Sequence, residues 1–195
     1  NGQNRWSSLP AQYAAMQTVL GANGVIGNEL SKLLPQYTDK VRQVSRRPKQ
    51  VNATDELFPA DLLDATAVSE AVKGSEVAYL VAGLKYDAKV WADQWPRVMR
   101  NTIEACKRHG TKLVFFDNVY AYGRVAGAMT EDTPYNPCSR KGEVRARIAT
   151  RQLQRVEAAG VNAGHAHQHI LDRHDVRFRK AGCMAEDVAG VKLRR

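Results

Sequence analysis

A glycine-rich stretch near the start of the chain constrains the fold more than any other feature. A strand-like run over residues 16–20 is followed by glycines at 21, 24 and 27, and then by a helical apolar pattern that ends before Pro35. This order predicts a strand, a tight turn and a helix. Such glycines suit a tight turn, a close backbone approach to a ligand, and packing of the helix on the strand. The apolar residues predicted on one helix face are Val25, Ile26, Leu30, Leu33 and Leu34.

The predicted turn has the properties of an anion site. Free backbone N–H groups and the positive end of the helix dipole meet there, and a pyrophosphate suits both. The spacing is G-x-x-G-x-x-G, which differs from the G-x-G-x-x-G of ordinary dinucleotide-binding dehydrogenases. Three glycines alone are also compatible with a turn that binds nothing.

Composition indicates one domain, or one domain with a fragment of another. The chain has 195 residues, of which 44% are hydrophobic, which is enough for a core. No apolar run approaches the ~20 residues needed to span a bilayer, and no secretory leader is visible, so we expect a soluble, cytoplasmic protein. Cys106, Cys138 and Cys183 share no C-x-x-C spacing, so neither a disulfide framework nor a zinc site is implied.

The net charge of +9 raises nucleic acid as a partner. Much of the excess lies between Arg140 and Arg155, a stretch without interleaved aromatic residues or a recognisable nucleic-acid motif. A solvated helix face, or a surface that attracts phosphorylated small molecules, explains this charge equally well. We therefore expect a small-molecule substrate and no membrane partner, with nucleic acid disfavoured as a partner and oligomerisation left open.

Strand and helix patterns alternate along the chain. Further strands are predicted at 40–45, 57–62, 76–83 and 111–117, and further helices at 64–74, 87–109 and 141–159. Pro96 should kink or restart the long helix, and Gly110 should close it. This alternation predicts an α/β fold of the Rossmann type, a doubly wound parallel sheet with helices on both faces. Ligands of such sheets bind outside the carboxyl ends of the strands.

The end of the second strand bears on cofactor choice. An NAD-preferring site usually has a carboxylate here for the ribose hydroxyls, whereas an arginine favours a 2′-phosphate. No Asp or Glu lies between Val41 and Asn52, while Arg46 and Arg47 are both present. The sequence thus favours NADP(H) over NAD, unless both arginines are only solvated loop charges.

Four segments together resemble the short-chain dehydrogenase/reductase superfamily, in the extended or atypical branch that includes NAD-dependent epimerase/dehydratases. They are the glycine turn Gly21–Gly27, Asp61-Leu62, Val81-Ala82-Gly83, and Asn118-Val-Tyr-Ala-Tyr-Gly123. The resemblance runs from Met16 to about Ala163. It implies that Asp61 and Leu62 flank the adenine and that Val81, Ala82 and Gly83 line the cofactor ribose and nicotinamide. In the turn, the implied cofactor-binding residues are Gly21, Asn23, Gly24, Val25, Ile26 and Gly27.

The catalytic half matches this family less well. The family uses a Ser or Thr after the fifth strand, and a Y-x-x-x-K motif whose Lys tunes the Tyr and binds the nicotinamide ribose. Lys141 is the candidate for that Lys, but Pro137 stands four residues before it, and Asn118 stands at the Ser position. An amide can still donate a hydrogen bond to a substrate oxygen, whereas proline has no proton to exchange. Tyr135 is the candidate for the missing acid, although it is equally compatible with an ordinary turn aromatic.

The resemblance stops near residue 163. We therefore predict an N-terminal extension or tag over 1–15, an NAD(P)-binding domain over 16–163, and a divergent or truncated segment over 164–195. Residues 164–170 lack the Val, Ile and Leu of an interior strand, so no strand is expected there. Alternating histidines at 165, 167 and 169, with His174 nearby, could hold a metal, but nothing completes a recognisable site and no metal is predicted.

Two functions from different classes follow. The first is an NAD(P)-dependent oxidoreductase or epimerase acting on nucleotide sugars or related hydroxyl and carbonyl compounds, the substrate class being implied by the resemblance alone. The second is a non-catalytic NADP(H)-binding redox sensor or interaction protein, because the tyrosine of the motif is absent. Nucleic-acid binding is a third and less favoured hypothesis for the function.

Overall fold

The computed structural model of the protein describes residues 15–127, 129–130, 132–158 and 163–167, with side chains as far as residue 150. Its strands are β1 (Met16–Leu20), β2 (Val41–Ser45), β3 (Glu56–Pro59), β4 (Ser75–Leu80), β5 (Lys112–Asp117) and β6 (Ala163–His167). Its helices are α1 (Val25–Leu33), α2 (Ala65–Val72), α3 (Ala88–His109) and α4 (Arg140–Ala158), and 3₁₀ turns occupy Leu34–Gln36 and Val119–Tyr122. All but the last residue of the predicted N-terminal extension, and the chain after 167, lie outside these ranges.

The six strands form one parallel sheet in the order β3-β2-β1-β4-β5-β6. From β1, the strands β2 and β3 follow in order on one side of the sheet. The next strand, β4, lies on the other side of β1, where Leu80 pairs with Leu20. A crevice opens at the carboxyl ends of two strands whose connections leave in opposite directions, so the ligand site belongs between the ends of β1 and β4. The predicted doubly wound parallel sheet is confirmed.

The two faces of the sheet build two separate apolar layers. In β1, the buried Leu20 belongs to the larger layer and the buried Val19 to the smaller one, as the period of a strand requires. The larger layer includes Val68 of α2, Val98 of α3 and Ile148 of α4. The smaller layer is covered by α1. Helices therefore cover both faces, as predicted.

Local capping sets where the helices begin and end. The Asp64 side chain accepts hydrogen bonds from the backbone N–H groups of Thr66 and Ala67, and Asp87 does the same at the start of α3. Gly110 ends α3 in the left-handed conformation at φ 64°. Of the kink or restart predicted at Pro96, the restart is wrong, because α3 continues through this residue; the nearby Trp95 and Val98 are buried.

Two sequence-based expectations about packing need correction. Val25 is 79% and Leu33 is 55% exposed, so the buried side of α1 contains fewer apolar residues than predicted. Gly27 and Ser31 are its buried residues, and the Ser31 hydroxyl donates to Gln43 of β2. The expectation of no strand over 164–170 is also wrong, since β6 pairs with β5 from Ala163 to His167. β6 is the last of the six strands in the described sheet, so the composition of an interior strand is not required of it.

Candidate functional site

The glycine turn joins β1 to α1 at the crevice. Gly21 has φ +101°, and a Cβ added there would lie 2.5 Å from the Ala82 Cα; a Cβ on Gly27 would lie 2.7 Å from the Gly21 carbonyl oxygen. Both positions therefore require glycine for the fold itself. Gly24 differs, because its φ is −73° and the nearest atom to an added Cβ is the Gly21 oxygen at 3.4 Å. The fold does not demand glycine at position 24, so this glycine is compatible with the close ligand approach that the sequence predicts.

The N-terminus of α1 suits an anion. Gly24 is its N-cap, no side chain caps it, and no acidic residue lies in the first turn. Val25, the first residue of α1, is exposed. The uncapped N–H groups and the helix dipole favour a negatively charged group at this point, so the turn fits the pyrophosphate of a dinucleotide.

Asn23 connects this turn to the loop after β2. Its Nδ2 donates to the Arg47 carbonyl oxygen at 2.6 Å, and its Oδ1 accepts from the Lys49 N–H at 3.2 Å. The Arg46 and Arg47 side chains are exposed beside the turn. The segment that carries the two predicted cofactor-binding arginines is thus joined through its backbone to the glycine turn by these two hydrogen bonds.

The other predicted cofactor-binding residues also lie along the carboxyl edge. Val81 is buried, its N–H donates to the Leu20 oxygen at 3.0 Å, and Ala82 packs against Gly21. Gly83 is exposed at the opening of the crevice. Asp61 is exposed after β3, where its Oδ1 accepts from the Leu63 N–H at 2.9 Å, and Leu62 packs against the larger apolar layer.

The end of β5 positions Asn118. Its Oδ1 accepts a hydrogen bond from the Tyr120 N–H at 3.2 Å, and its own N–H donates to Asp117 Oδ1 at 2.7 Å. Because a backbone N–H can only donate, the amide orientation is fixed with its oxygen toward Tyr120. The Nδ2 amino group is left to donate, which is what a substrate oxygen would need.

Lys141 at the start of α4 lies in an aromatic cluster. Its Nζ is 3.6 Å from the ring centroid of Tyr86, which lies in the segment between β4 and α3. The Tyr86 ring contacts those of Tyr120 and Trp91, with centroids 6.2 and 5.8 Å away. Gly142 permits this approach, since a Cβ there would lie 2.5 Å from the Tyr120 carbonyl oxygen. Lys141 is thus a half-buried cation on an aromatic ring, and not a solvated surface charge.

Two tyrosines near this cluster differ in their surroundings. Burial, followed by the hydrogen bond to Tyr86, raises the pKa of Tyr120 to about 12. Tyr135 packs instead on the buried Tyr122, with ring centroids 5.0 Å apart, and burial together with Tyr122 and Asp117 raises its pKa to about 12. The structure therefore brings Tyr86 and Tyr120 to Lys141, and places the predicted Tyr135 against Tyr122.

Sequence reasoning missed Tyr86. Its only signal was its position three residues after Gly83, beyond the carboxyl end of β4. The histidines at 165 and 167 are on β6, where side chains are not described, and those at 169 and 174 lie outside the described residues. Within the part of the chain that the structure describes, no group of His, Cys, Asp or Glu could hold a metal, and no helix is long and apolar enough to cross a membrane.

These features define a Rossmann-type dinucleotide-binding domain, with a glycine turn at the crevice and a helix N-terminus open to phosphate. The model of the NAD dependent epimerase/dehydratase family matches residues 17–157. The chain therefore belongs to this family. This match confirms the resemblance to the extended short-chain dehydrogenase/reductases and the NAD(P) cofactor class that the resemblance implies. A comparison with curated proteins found no match.

Solved structures share the fold. DesIV, a dTDP-glucose 4,6-dehydratase from Streptomyces venezuelae, is 15% identical with a TM-score of 0.70, over 78% of this chain and 55% of that one. Glucuronic acid dehydrogenase from Chromohalobacter salexigens is 19% identical with a TM-score of 0.68, over 76% and 58%. UDP-glucose 4-epimerase from Brucella ovis is 19% identical with a TM-score of 0.66, over 79% and 51%. The chain thus spans just over half the length of the structures it resembles.

Proposed function

We propose that this chain binds NAD(P)(H) at the crevice and uses it in oxidoreductase or epimerase chemistry on a hydroxyl or carbonyl group of a sugar. The observation that carries the proposal is the uncapped N-terminus of α1 behind Gly24, a glycine that the fold does not require. Family membership supports the same cofactor class. The structures it resembles are named for nucleotide sugars and uronates, which makes these the first substrates to test.

Each part of the cofactor has a group of residues to hold it. In the proposed complex the glycine turn, including Asn23, Val25 and Ile26, holds the pyrophosphate, and Asp61 with Leu62 flanks the adenine. Val81 to Gly83 and Lys141 line the nicotinamide half. Arg46 and Arg47 take a 2′-phosphate, and we therefore propose NADP(H) as the preferred form over NAD.

The bound nicotinamide would supply a hydride acceptor or donor. The chain's own residues orient the substrate and handle its proton: Asn118 Nδ2 donates to the reacting oxygen, and Lys141 places a positive charge beside it. In the arrangement expected from the sequence, Tyr135 exchanges the proton. Pro137, at the usual tyrosine position, favours the second candidate function, a non-catalytic NADP(H)-binding protein.

Cofactor titration tests the proposal. NADPH and NADH are titrated by fluorescence into the wild-type protein and into an Arg46→Ser/Arg47→Ser variant. We expect the wild-type protein to bind NADPH more tightly than NADH. The variant should lose about tenfold or more of its affinity for NADPH and keep its affinity for NADH nearly unchanged, since each charge-assisted hydrogen bond contributes about 1.5–3 kcal/mol. Arg100→Ser, on the exposed side of α3, is the matched control for lost charge.

The outcomes separate the candidate functions. Turnover of glucuronate or UDP-glucose by the cofactor-loaded protein supports the enzyme, whereas tight binding without turnover favours the non-catalytic protein. Failure of both nucleotides to bind would refute the proposal.

A further inference from the structure

The catalytic half of the site lacks a proton-exchanging group at the usual place. Pro137 lies four residues before Lys141, and the predicted substitute, Tyr135, packs on Tyr122. An ionisable group that serves the reaction should lie beside Lys141 and be accessible to substrate. Tyr86 meets both conditions, because the Lys141 Nζ is 3.6 Å from its ring centroid and the residue is 61% exposed.

The position of Tyr86 is fixed from three sides. Trp91 of α3 meets its ring edge-on at an interplanar angle of 88°, Tyr120 packs against it from the turn after β5, and Lys141 lies over its face. Asp87, the next residue, caps α3 through its backbone hydrogen bonds to Lys89 and Val90. The ring is therefore held by surrounding elements while much of the residue remains open.

A hydrogen bond between phenols gives Tyr86 a second polar partner. Burial, and after it this hydrogen bond, raises the pKa of Tyr120 to about 12. The charged group that faces Tyr86 from another element is Lys141, whose ammonium lies over the ring, and Lys85 and Asp87 are its chain neighbours.

We propose that Tyr86 is the catalytic residue that exchanges the substrate proton in place of the absent motif tyrosine, with Tyr120 as its positioning residue. The inference rests on the proposed function. In alcohol oxidation the substrate C–H hydride passes to the nicotinamide, the C=O bond forms, and the hydroxyl proton passes to Tyr86 in its phenolate form, which becomes the neutral phenol. The substrate is oxidised by two electrons and the NAD(P)⁺ is reduced; in carbonyl reduction every step runs in reverse.

The first test measures the apo protein and needs no activity. Because much of Tyr86 is exposed, Tyr86→Phe should leave the melting temperature of the apo protein and its affinity for the cofactor nearly unchanged. A large loss of stability or of cofactor affinity would show a structural role and overturn the proposal.

The second test measures turnover of glucuronate and UDP-glucose with NAD⁺ and NADP⁺. Tyr86→Phe should lower kcat by about 100-fold or more while the cofactor dissociation constant stays unchanged, and Tyr135→Phe should keep most of the activity. Tyr120→Phe should lower kcat while the KM for glucuronate changes little, which a general loss of structure would not do.

The two proposals fail in different ways. A wild-type protein that binds neither nucleotide refutes the proposed function itself. Active wild-type protein with undiminished activity in Tyr86→Phe, or with the loss confined to Tyr135→Phe, overturns the role of Tyr86 alone. A protein that binds cofactor and turns over neither probe favours the non-catalytic function and overturns the role of Tyr86 with it.

Discussion

Arg145 of α4 forms a buried ion pair with Asp117, the last residue of β5, and the two side chains are 2% and 1% exposed. The guanidinium also lies 4.1 Å from the Trp95 ring centroid. Burial lowers the pKa of Arg145, and the Asp117 carboxylate opposes that shift. Since Asp117 also accepts from the Asn118 N–H, the pair connects α4 to the residue proposed to orient substrate.

Breaking this pair should destabilise the fold strongly. Arg145→Met removes the cation that is paired with a buried carboxylate, and we expect a loss of about 3–5 kcal/mol in the free energy of unfolding. The double variant Arg145→Met/Asp117→Leu should lose less than the sum of the two single variants, as measured by urea denaturation. Glu56→Gln, which breaks the more exposed pair with Arg42, is the control and should cost about 1 kcal/mol or less. Additive losses would show that the pair is not coupled.

Gly24 should separate ligand binding from folding. In Gly24→Val the added Cβ would lie no closer than 3.4 Å to another atom of the apo fold, and we expect a cost of about 1 kcal/mol for a poorer N-cap, while the side chain occupies the approach to the N-terminus of α1. We expect the rise in melting temperature caused by NADPH to disappear. Ala65→Val, at the exposed first turn of the capped helix α2, should leave that rise unchanged. An intact NADPH effect in Gly24→Val would place the pyrophosphate elsewhere.

Asn118 should act as a hydrogen-bond donor to substrate. Asn118→Ala removes the Nδ2 group and should lower kcat roughly 100-fold, the cost of losing one donor to a developing oxyanion. Asn118→Ser restores a hydroxyl of the type that the family uses here and should recover part of the activity. Steady-state kinetics with glucuronate checks both, and equal activity in the alanine and serine variants would argue against a donor role.

Asp87 should make the stability of α3 depend on pH. Backbone hydrogen bonds from Val90 and Lys89 are the main cause that lowers the pKa of its carboxyl below the ordinary value of 3.8. A depressed folded-state pKa stabilises the fold above the unfolded-state value, and this contribution is lost as pH falls through the folded-state value. The melting temperature of Asp87→Ala should therefore be lower than that of the wild type near pH 7, with the gap narrowing below about pH 4. The control is Asp93→Ala, on the exposed side of α3, and a gap independent of pH would contradict this account.

Local signals predicted the scaffold well. Asp64, Asp87 and Gly110 mark helix ends through interactions within a few residues, so a single sequence carries them. The parallel order followed from alternating elements and the glycine turn. The buried face of α1 could not be read in the same way: Val25 and Leu33 have helical spacing, but which apolar residues reach the sheet depends on how closely Gly27 lets the helix approach.

The candidate site was less predictable because its contacts join distant segments. Tyr86 lies between β4 and α3, Tyr120 in the turn after β5 and Lys141 in the first turn of α4, and no spacing relates them. Asn118 and Lys141 were found through the family pattern. Tyr86 has no place in that pattern, so only the packing of α4 against the turn after β5 reveals it.

The two hydrogen bonds of Asn23 also bear on protein engineering. They connect the segment that carries Arg46 and Arg47 to the anion-binding turn. The residues proposed to distinguish NADP(H) from NAD are therefore joined to the residues proposed to bind the pyrophosphate. Because both bonds go to backbone groups, the side chains at 46 and 47 can be exchanged to alter coenzyme preference without losing either bond. Asn23 is the residue that has to be retained.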